Sequence, residues 1–179
     1  MNNTSKTSLS ASEALERLKK GNARFVSGED SQLVTAMQKP SGNSTQRPCA
    51  IVLGCSDSRV PVEIVFDQKL GDLFVIRVAG NIVAPSQIAS IEFAAAQFGT
   101  QLVVVLGHTD CGAVGATLDF LQGPEKSTPG TLYSIVNRIR PAVEPLMAQY
   151  PNDRKALYLD HRHPICDGIS SNSLCTKTR

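Results

Sequence analysis

Apolar residues fall into three short unbroken runs, set between stretches with helical spacing. The runs are "CAIVLGC" at 49–55, "LFVIRVAG" at 73–80 and "QLVVVLGH" at 101–108. Runs of this length, rich in β-branched residues, suit strands covered on both faces, as in a parallel sheet. Between the last two lies "SQIASIEFAAAQFG", where Ile88, Ile91, Ala95 and Phe98 recur on one helix face and Gly99 supplies a stop. The result is a strand–helix–strand unit, whose crossover is expected to be right-handed. Upstream, Ser10 and Glu13 have capping-box spacing and open a helix with an apolar face of Leu15, Leu18, Phe25 and Val26, stopped by Gly28. Downstream, a helix from near Leu132 carries Ile135, Val136, Ile139 and Val143, and Pro141 and Pro145 are expected to kink or divide it. Residues 1–9 read as disordered and 29–47 as a loop. The predicted fold is therefore α/β, a mostly parallel central sheet flanked by helices, with an N-terminal helical arm.

Composition narrows the function classes. The 179 residues suit one domain with its own core. A net charge of +2 without a basic run argues against a nucleic-acid or anionic-membrane partner. There is no apolar span long enough for a transmembrane helix, and the polar start "MNNTSKTSLSASEAL" lacks the apolar core of a secretory signal. A soluble, cytoplasmic protein is the expectation. Five cysteines, Cys49, Cys55, Cys111, Cys166 and Cys175, are an odd number in a chain with a core, so a disulfide framework is not expected.

Chemistry gathers at the strand ends, where open α/β sheets carry their sites. Cys55 ends the first run, His108 ends the third, and Cys111 follows in "HTDCG" at the start of the next helix. If the first and third strands are neighbours, two thiolates and an imidazole can converge, a zinc-type donor set with a fourth position for water. Two thiolates leave zinc less able to acidify water, so the site needs help. Asp57 beside the fourth position can accept a hydrogen bond from water, or bind the metal and close the site. Arg59, two residues on, can hold that carboxylate off the metal in a bidentate pair. Taken singly, Cys55 and Cys111 read as inert buried thiols, His108 as a core histidine and Asp57–Arg59 as a surface ion pair. Cys49 reads as structural and Asp110 as a helix cap. A second metal site at "HRHPIC", from His161, His163 and Cys166, is disfavoured against an exposed tail.

"CSDSRV" followed by "GHTDCG" resembles the β-class carbonic anhydrases. The likeness runs from about Gln46 to Leu121, "RVAGN" at 77–81 included, and more loosely over the first and last helices. It implies zinc held by Cys55, His108 and Cys111, with the Asp57–Arg59 dyad controlling the fourth ligand, Asp57 itself being that ligand in a closed form favoured at lower pH. It implies that Gln46 donates a hydrogen bond to substrate or bicarbonate, that Phe74 and Phe93 wall the CO2 pocket, and that Gly112 offers a backbone N–H. It implies reversible hydration of CO2 to bicarbonate and a proton by a zinc-bound hydroxide, in a homodimer or higher homo-oligomer. In such an assembly each site lies at a subunit interface and the N-terminal helix embraces the partner. Hydrolysis of CS2 or COS on the same scaffold is the alternative enzyme reading.

Residues 1–160 form the expected catalytic domain. Residues 161–179, "HRHPICDGISSNSLCTKTR", show neither a helical face nor a strand run and read as a disordered tail. Against the family pattern, the last strand and helix are expected to be missing, as in a truncated or frame-altered gene. That keeps open a non-catalytic zinc-binding subunit as a third reading.

Overall fold

The structure, a computed structural model, describes residues 9–28, 46–123, 130–151, 153, 157 and 173–178. Helix α1 (Ala11–Ser27) opens on the expected capping box: Glu13 N–H donates to Ser10 Oγ at 3.3 Å, and Ser10 N–H donates to the Glu13 carboxylate at 2.9 Å. It stops at Gly28, whose φ of 71° favours glycine. Its buried face differs from the expected one. Ala14, Leu18 and Gly21 face the core, whereas Phe25 and Val26 are 48% and 75% exposed. Gly21 explains the shift. A Cβ there would lie 1.8 Å from the Phe66 carbonyl oxygen, so α1 sits backbone to backbone against its own domain. Arg17 pairs with Asp72, and Arg24 with the buried Asp67, across the same contact.

Strands β1 (Ala50–Gly54), β2 (Leu73–Arg77) and β3 (Val103–His108) occupy the three apolar runs. The sheet order is β2-β1-β3-β4 and every pairing is parallel. Every residue of β1 is buried, as its central position requires. Short helix α2 (Val62–Val65) follows β1. With α1 it covers a core of Ala14, Leu18, Val52, Val62, Phe66, Leu102, Val104 and Leu106.

Three longer helices follow: α3 (Pro85–Phe98), α4 (Gly112–Gln122) and α5 (Tyr133–Gln149). The last two pack around a second core that includes Cys55, Cys111, Val114, Leu118, Ile139 and Val143. The prolines do not divide α5. It runs continuously through Pro141 and Pro145, both on its exposed side, where carbonyls that lose a partner can meet water. Helix α3 ends at Gly99 as expected, but of its residues only Ala94 is buried, and Ile88 and Ala95 face outward. Its apolar face is not covered by the described residues of one chain.

The expectation of a strandless tail is corrected. Ser173–Thr178 form β4, which pairs with β3 from Val103↔Ser173 to His108↔Thr178. Without it, the outer edge of β3 would carry unpaired N–H and C=O groups, and a threonine-rich segment has the propensity to fill that place. Residues 1–8, the loop at 29–45 and the "HRHPIC" segment lie outside the described residues.

Candidate metal centre

The site sits where β1 and β3 end side by side. Beyond Gly54 the chain leaves β1 through Cys55, with Val78 N–H donating to the Gly54 carbonyl and Ser56 N–H to the Val78 carbonyl. His108 is the last residue of β3, and Cys111 is the N-cap of α4. One ligand atom from each of Cys55, His108 and Cys111 lies within 4.8 Å of the other two, and the residues are 6%, 5% and 2% exposed.

The two sulfurs are 4.0 Å apart. That is well beyond a disulfide length of about 2.05 Å. It is near the ~3.8 Å expected for two sulfurs on one tetrahedral zinc at ~2.3 Å each. The imidazole is oriented for the same purpose. Its Nδ1 lies 2.8 Å from the Thr109 carbonyl, which assigns the proton to Nδ1 and leaves the Nε2 lone pair free. His108 Nε2 is buried and has no hydrogen-bond partner. A buried orphan acceptor between two sulfurs fits a soft divalent metal such as zinc.

The local electrostatics favour a thiolate at Cys55. Gly80 N–H donates to Cys55 Sγ at 3.3 Å, and Asp57 N–H also faces that sulfur. With the Cys111 thiol and His108 beside it, Cys55 is held well below the usual thiol range. Its negative charge, with burial, pushes Cys111 the other way, although Val114 and Ala113 N–H groups at the α4 N-terminus oppose that rise. The same thiolate raises the pKa of His108. A divalent cation among the three would relieve this conflict between neighbouring donors.

Asp57 and Arg59 form the expected pair. Arg59 donates from Nε to Asp57 Oδ1 at 2.9 Å, from Nη2 to Oδ2 at 2.8 Å and from its backbone N–H to Oδ1 at 3.0 Å. These bonds hold the Asp57 carboxyl well below the usual carboxylate range. Oδ2 lies 4.0 Å from His108 Nε2, so the carboxylate stands beside the donor set. Arg59 also donates to the Asp110 carbonyl at 3.1 Å, which ties the β1 loop to the β3 loop. Asp110 itself has a φ of 54°, a tight turn between the second and third ligands.

The other expected residues lie elsewhere. Gly112 opens α4 next to Cys111, with open space where a Cβ would stand. Gln46 precedes β1 and is exposed, and Arg47 bonds to Gly71 at the amino end of the sheet. Phe74 is level with Ile51, four residues short of Cys55, or about 13 Å along the strand. It packs against Phe93 and Phe98 with ring centroids 6.3 and 6.0 Å away, and Phe93 is 56% exposed. One chain therefore does not bring Gln46, Phe74 or Phe93 to its own Cys55. Two contributors escaped the motif reading. Gly80, at φ 68°, supplies the N–H to Cys55, and Arg77 binds the carbonyls behind it. Both lie within "RVAGN", so a signal was present, but their roles depend on backbone geometry that sequence does not carry.

A parallel sheet bearing two cysteine sulfurs and an imidazole at adjacent strand ends defines the class: an α/β protein with a buried three-donor set that could hold a metal ion. The family described as carbonic anhydrase matches residues 50–167, and the chain belongs to it, in its β class. It is 44% identical over 131 residues to a carbonic anhydrase of Mycolicibacterium smegmatis, a match covering 73% of this chain and 63% of that protein. The chain thus spans less than two thirds of that relative's length. Among solved structures it is similar to a β-carbonic anhydrase of Aspergillus fumigatus (TM-score 0.59, 28% identity, 83% of this chain and 67% of that one). It shares its fold with a structure from a study of two tetrameric β-carbonic anhydrases of Sordaria macrospora (TM-score 0.59, 24% identity, 82% and 74% covered).

Proposed function

We propose that the chain is a zinc enzyme catalysing the reversible hydration of CO2 to bicarbonate and a proton. The observation that carries this is a buried Cys55–His108–Cys111 donor set with a latched carboxylate 4.0 Å from the imidazole. Bound zinc would supply the Lewis acidity that makes water a nucleophile near neutral pH. The protein's own groups do the rest. Backbone N–H groups steady the Cys55 thiolate, and the Nδ1 bond fixes the His108 tautomer. Arg59 keeps both oxygens of Asp57 engaged, so the carboxylate stays ionised beside the donors, where it can accept a hydrogen bond from water and orient it. Gly112 presents its N–H at the N-terminus of α4.

Gln46, Phe74 and Phe93 serve a second copy in this proposal, because their own chain places them away from Cys55. A homo-oligomer also accounts for the uncovered apolar face of α3, and the Sordaria macrospora relatives are tetramers. Free thiols at Cys49, Cys55 and Cys111 suit a reducing cytoplasm. Among the described residues, no helix is long and apolar enough to cross a membrane.

The test is stopped-flow CO2 hydration with zinc quantified in the same sample. Stoichiometric zinc with rapid hydration is expected. Stoichiometric zinc without hydration of CO2 would overturn the proposal, and turnover of CS2 or COS in its place would identify the alternative enzyme. For the oligomer, mixing Cys55→Ser chains with Gln46→Ala chains should restore activity, up to about a quarter of wild type for a randomly reassorted two-fold dimer. No recovery in a proven mixed dimer would show that Gln46 does not act across the interface.

A further inference from the structure

The loop after β1 is gripped from behind by a side chain outside it. Arg77, the last residue of β2, is in register with Gly54. Its Nε donates to the Cys55 carbonyl at 2.9 Å. Its Nη2 donates to the Asp57 carbonyl at 2.5 Å and reaches the Val60 carbonyl at 3.5 Å. These three carbonyls span the segment that holds a metal donor, the carboxylate and the arginine latch. Within the loop, Val60 N–H bonds back to the Asp57 carbonyl at 3.1 Å, which closes a turn that could pivot on its ends. Arg77 grips that turn at both ends and holds the Cys55 carbonyl just ahead of it.

We infer that Arg77 is a positioning residue, fixing the Cys55–Val60 loop so that the Cys55 sulfur and the Asp57 carboxylate keep their mutual setting. It acts through those two groups and is hydrogen-bonded to their backbone, not to the reacting atoms. The requirement is for a guanidinium. Carbonyls in several directions need a rigid planar fork, which a lysine ammonium on a flexible stem does not provide. Arg77 is itself exposed, so its charge is well hydrated and its directed hydrogen bonds carry the effect. Asp57 is thereby held twice, by Arg77 at its carbonyl and by Arg59 at its carboxylate.

This inference rests on the metal-centre reading, and its test separates the two. Full-length Arg77→Lys, Arg77→Gln, Asp57→Asn and the double variant Arg77→Gln/Asp57→Asn are compared. Three readouts are taken: kcat for CO2 hydration, the visible absorption of the cobalt(II)-loaded protein, and hydrogen exchange of residues 55–60 in the metal-free protein. Both Arg77 variants should lose about ten- to a hundred-fold in kcat, the usual effect of removing an outer support of a metal site. They should also alter the cobalt bands and speed exchange in 55–60. Arg77→Gln should cost little further once Asp57 is asparagine, since coupled groups do not add. Wild-type values for Arg77→Lys would show that charge suffices, and full additivity in the double variant would show a general structural role; either result overturns the inference. Should Arg77→Gln fail to fold, Arg77→Lys decides. If the wild-type protein binds cobalt but hydrates no CO2, the enzyme reading falls, while exchange and the cobalt spectrum still decide the role of Arg77.

Discussion

Replacing Gly80 by alanine tests whether the bend after β2 is built for the metal site. Two costs can be read from the structure. Gly80 has a φ of 68°, where an L-residue with a Cβ loses roughly 1–2 kcal/mol. Its added Cβ would stand 2.7 Å from Ile139 Cδ1 and 3.0 Å from Ala113 Cβ. Ile139 lies in the second core and is 1% exposed, so it has little room to move, and such overpacking costs about 1–3 kcal/mol. Together the costs are about 2–5 kcal/mol, a sizeable part of the ~5–15 kcal/mol that holds a typical domain together. For a chain of this size, that is a fall of about 4–20 °C in Tm. The same strain moves the Gly80 N–H that faces Cys55 Sγ, so zinc affinity should fall as well. Thermal unfolding of the zinc-loaded protein, with competitive zinc titration, reads both effects. The double variant Gly80→Ala/Ile139→Val supplies the control, because valine lacks the Cδ1 that clashes. Ile139→Val alone should cost about 0.5–1.5 kcal/mol, yet on the Gly80→Ala background it should stabilise. An unchanged Tm for Gly80→Ala, or simple additivity in the double variant, refutes the reasoning.

Gly21→Ala drives a methyl into the Phe66 carbonyl, a backbone group that cannot rotate away. It should cost at least about 3 kcal/mol and free α1, seen as a lowered urea midpoint and rapid hydrogen exchange in 11–27. Arg59→Ala unlatches Asp57 and should lower CO2 hydration about a hundredfold with zinc content unchanged; retained activity would show that the latch is not needed. Zinc loading of the metal-free protein should release a proton, because the raised Cys111 pKa keeps a proton on a thiol that must lose it. Apparent affinity should therefore rise with pH, and calorimetry in two buffers of different ionisation enthalpy checks the sign.

What sequence showed and what it hid divide by range. The Ser10–Glu13 box, the Gly28 and Gly99 stops and the three apolar runs are local signals, and each marks a real boundary. The donor set was legible because its members end strands, and parallel neighbours bring their carboxyl ends together. The α1 face was misread because a glycine at a close approach carries no hydrophobic signal, while the more apolar Phe25 and Val26 turn outward. The α3 face was read from periodicity, which marks a surface to be covered without naming its cover. β4 was missed because a short polar run becomes a strand only beside an open edge, a tertiary effect. Arg77 and Gly80 were hidden for the same reason. Their roles follow from the Gly54↔Arg77 register and a left-handed bend.

The metal donors and the carboxylate are secured by different physics. Cys55, His108 and Cys111 are almost fully buried at the ends of packed elements, so the core sets their positions. Asp57 owes its place to two guanidinium groups in exposed residues, one of them with a side chain 63% open to solvent. Hydrogen bonds of that kind face competition from water and denaturant, whereas a close-packed core yields only when the fold does. Mild denaturant should therefore loosen residues 56–60 before it releases the metal. Catalysis would then fail at lower urea concentration than zinc binding. That order follows from a site whose ligands are held by burial and whose gate is held by arginine.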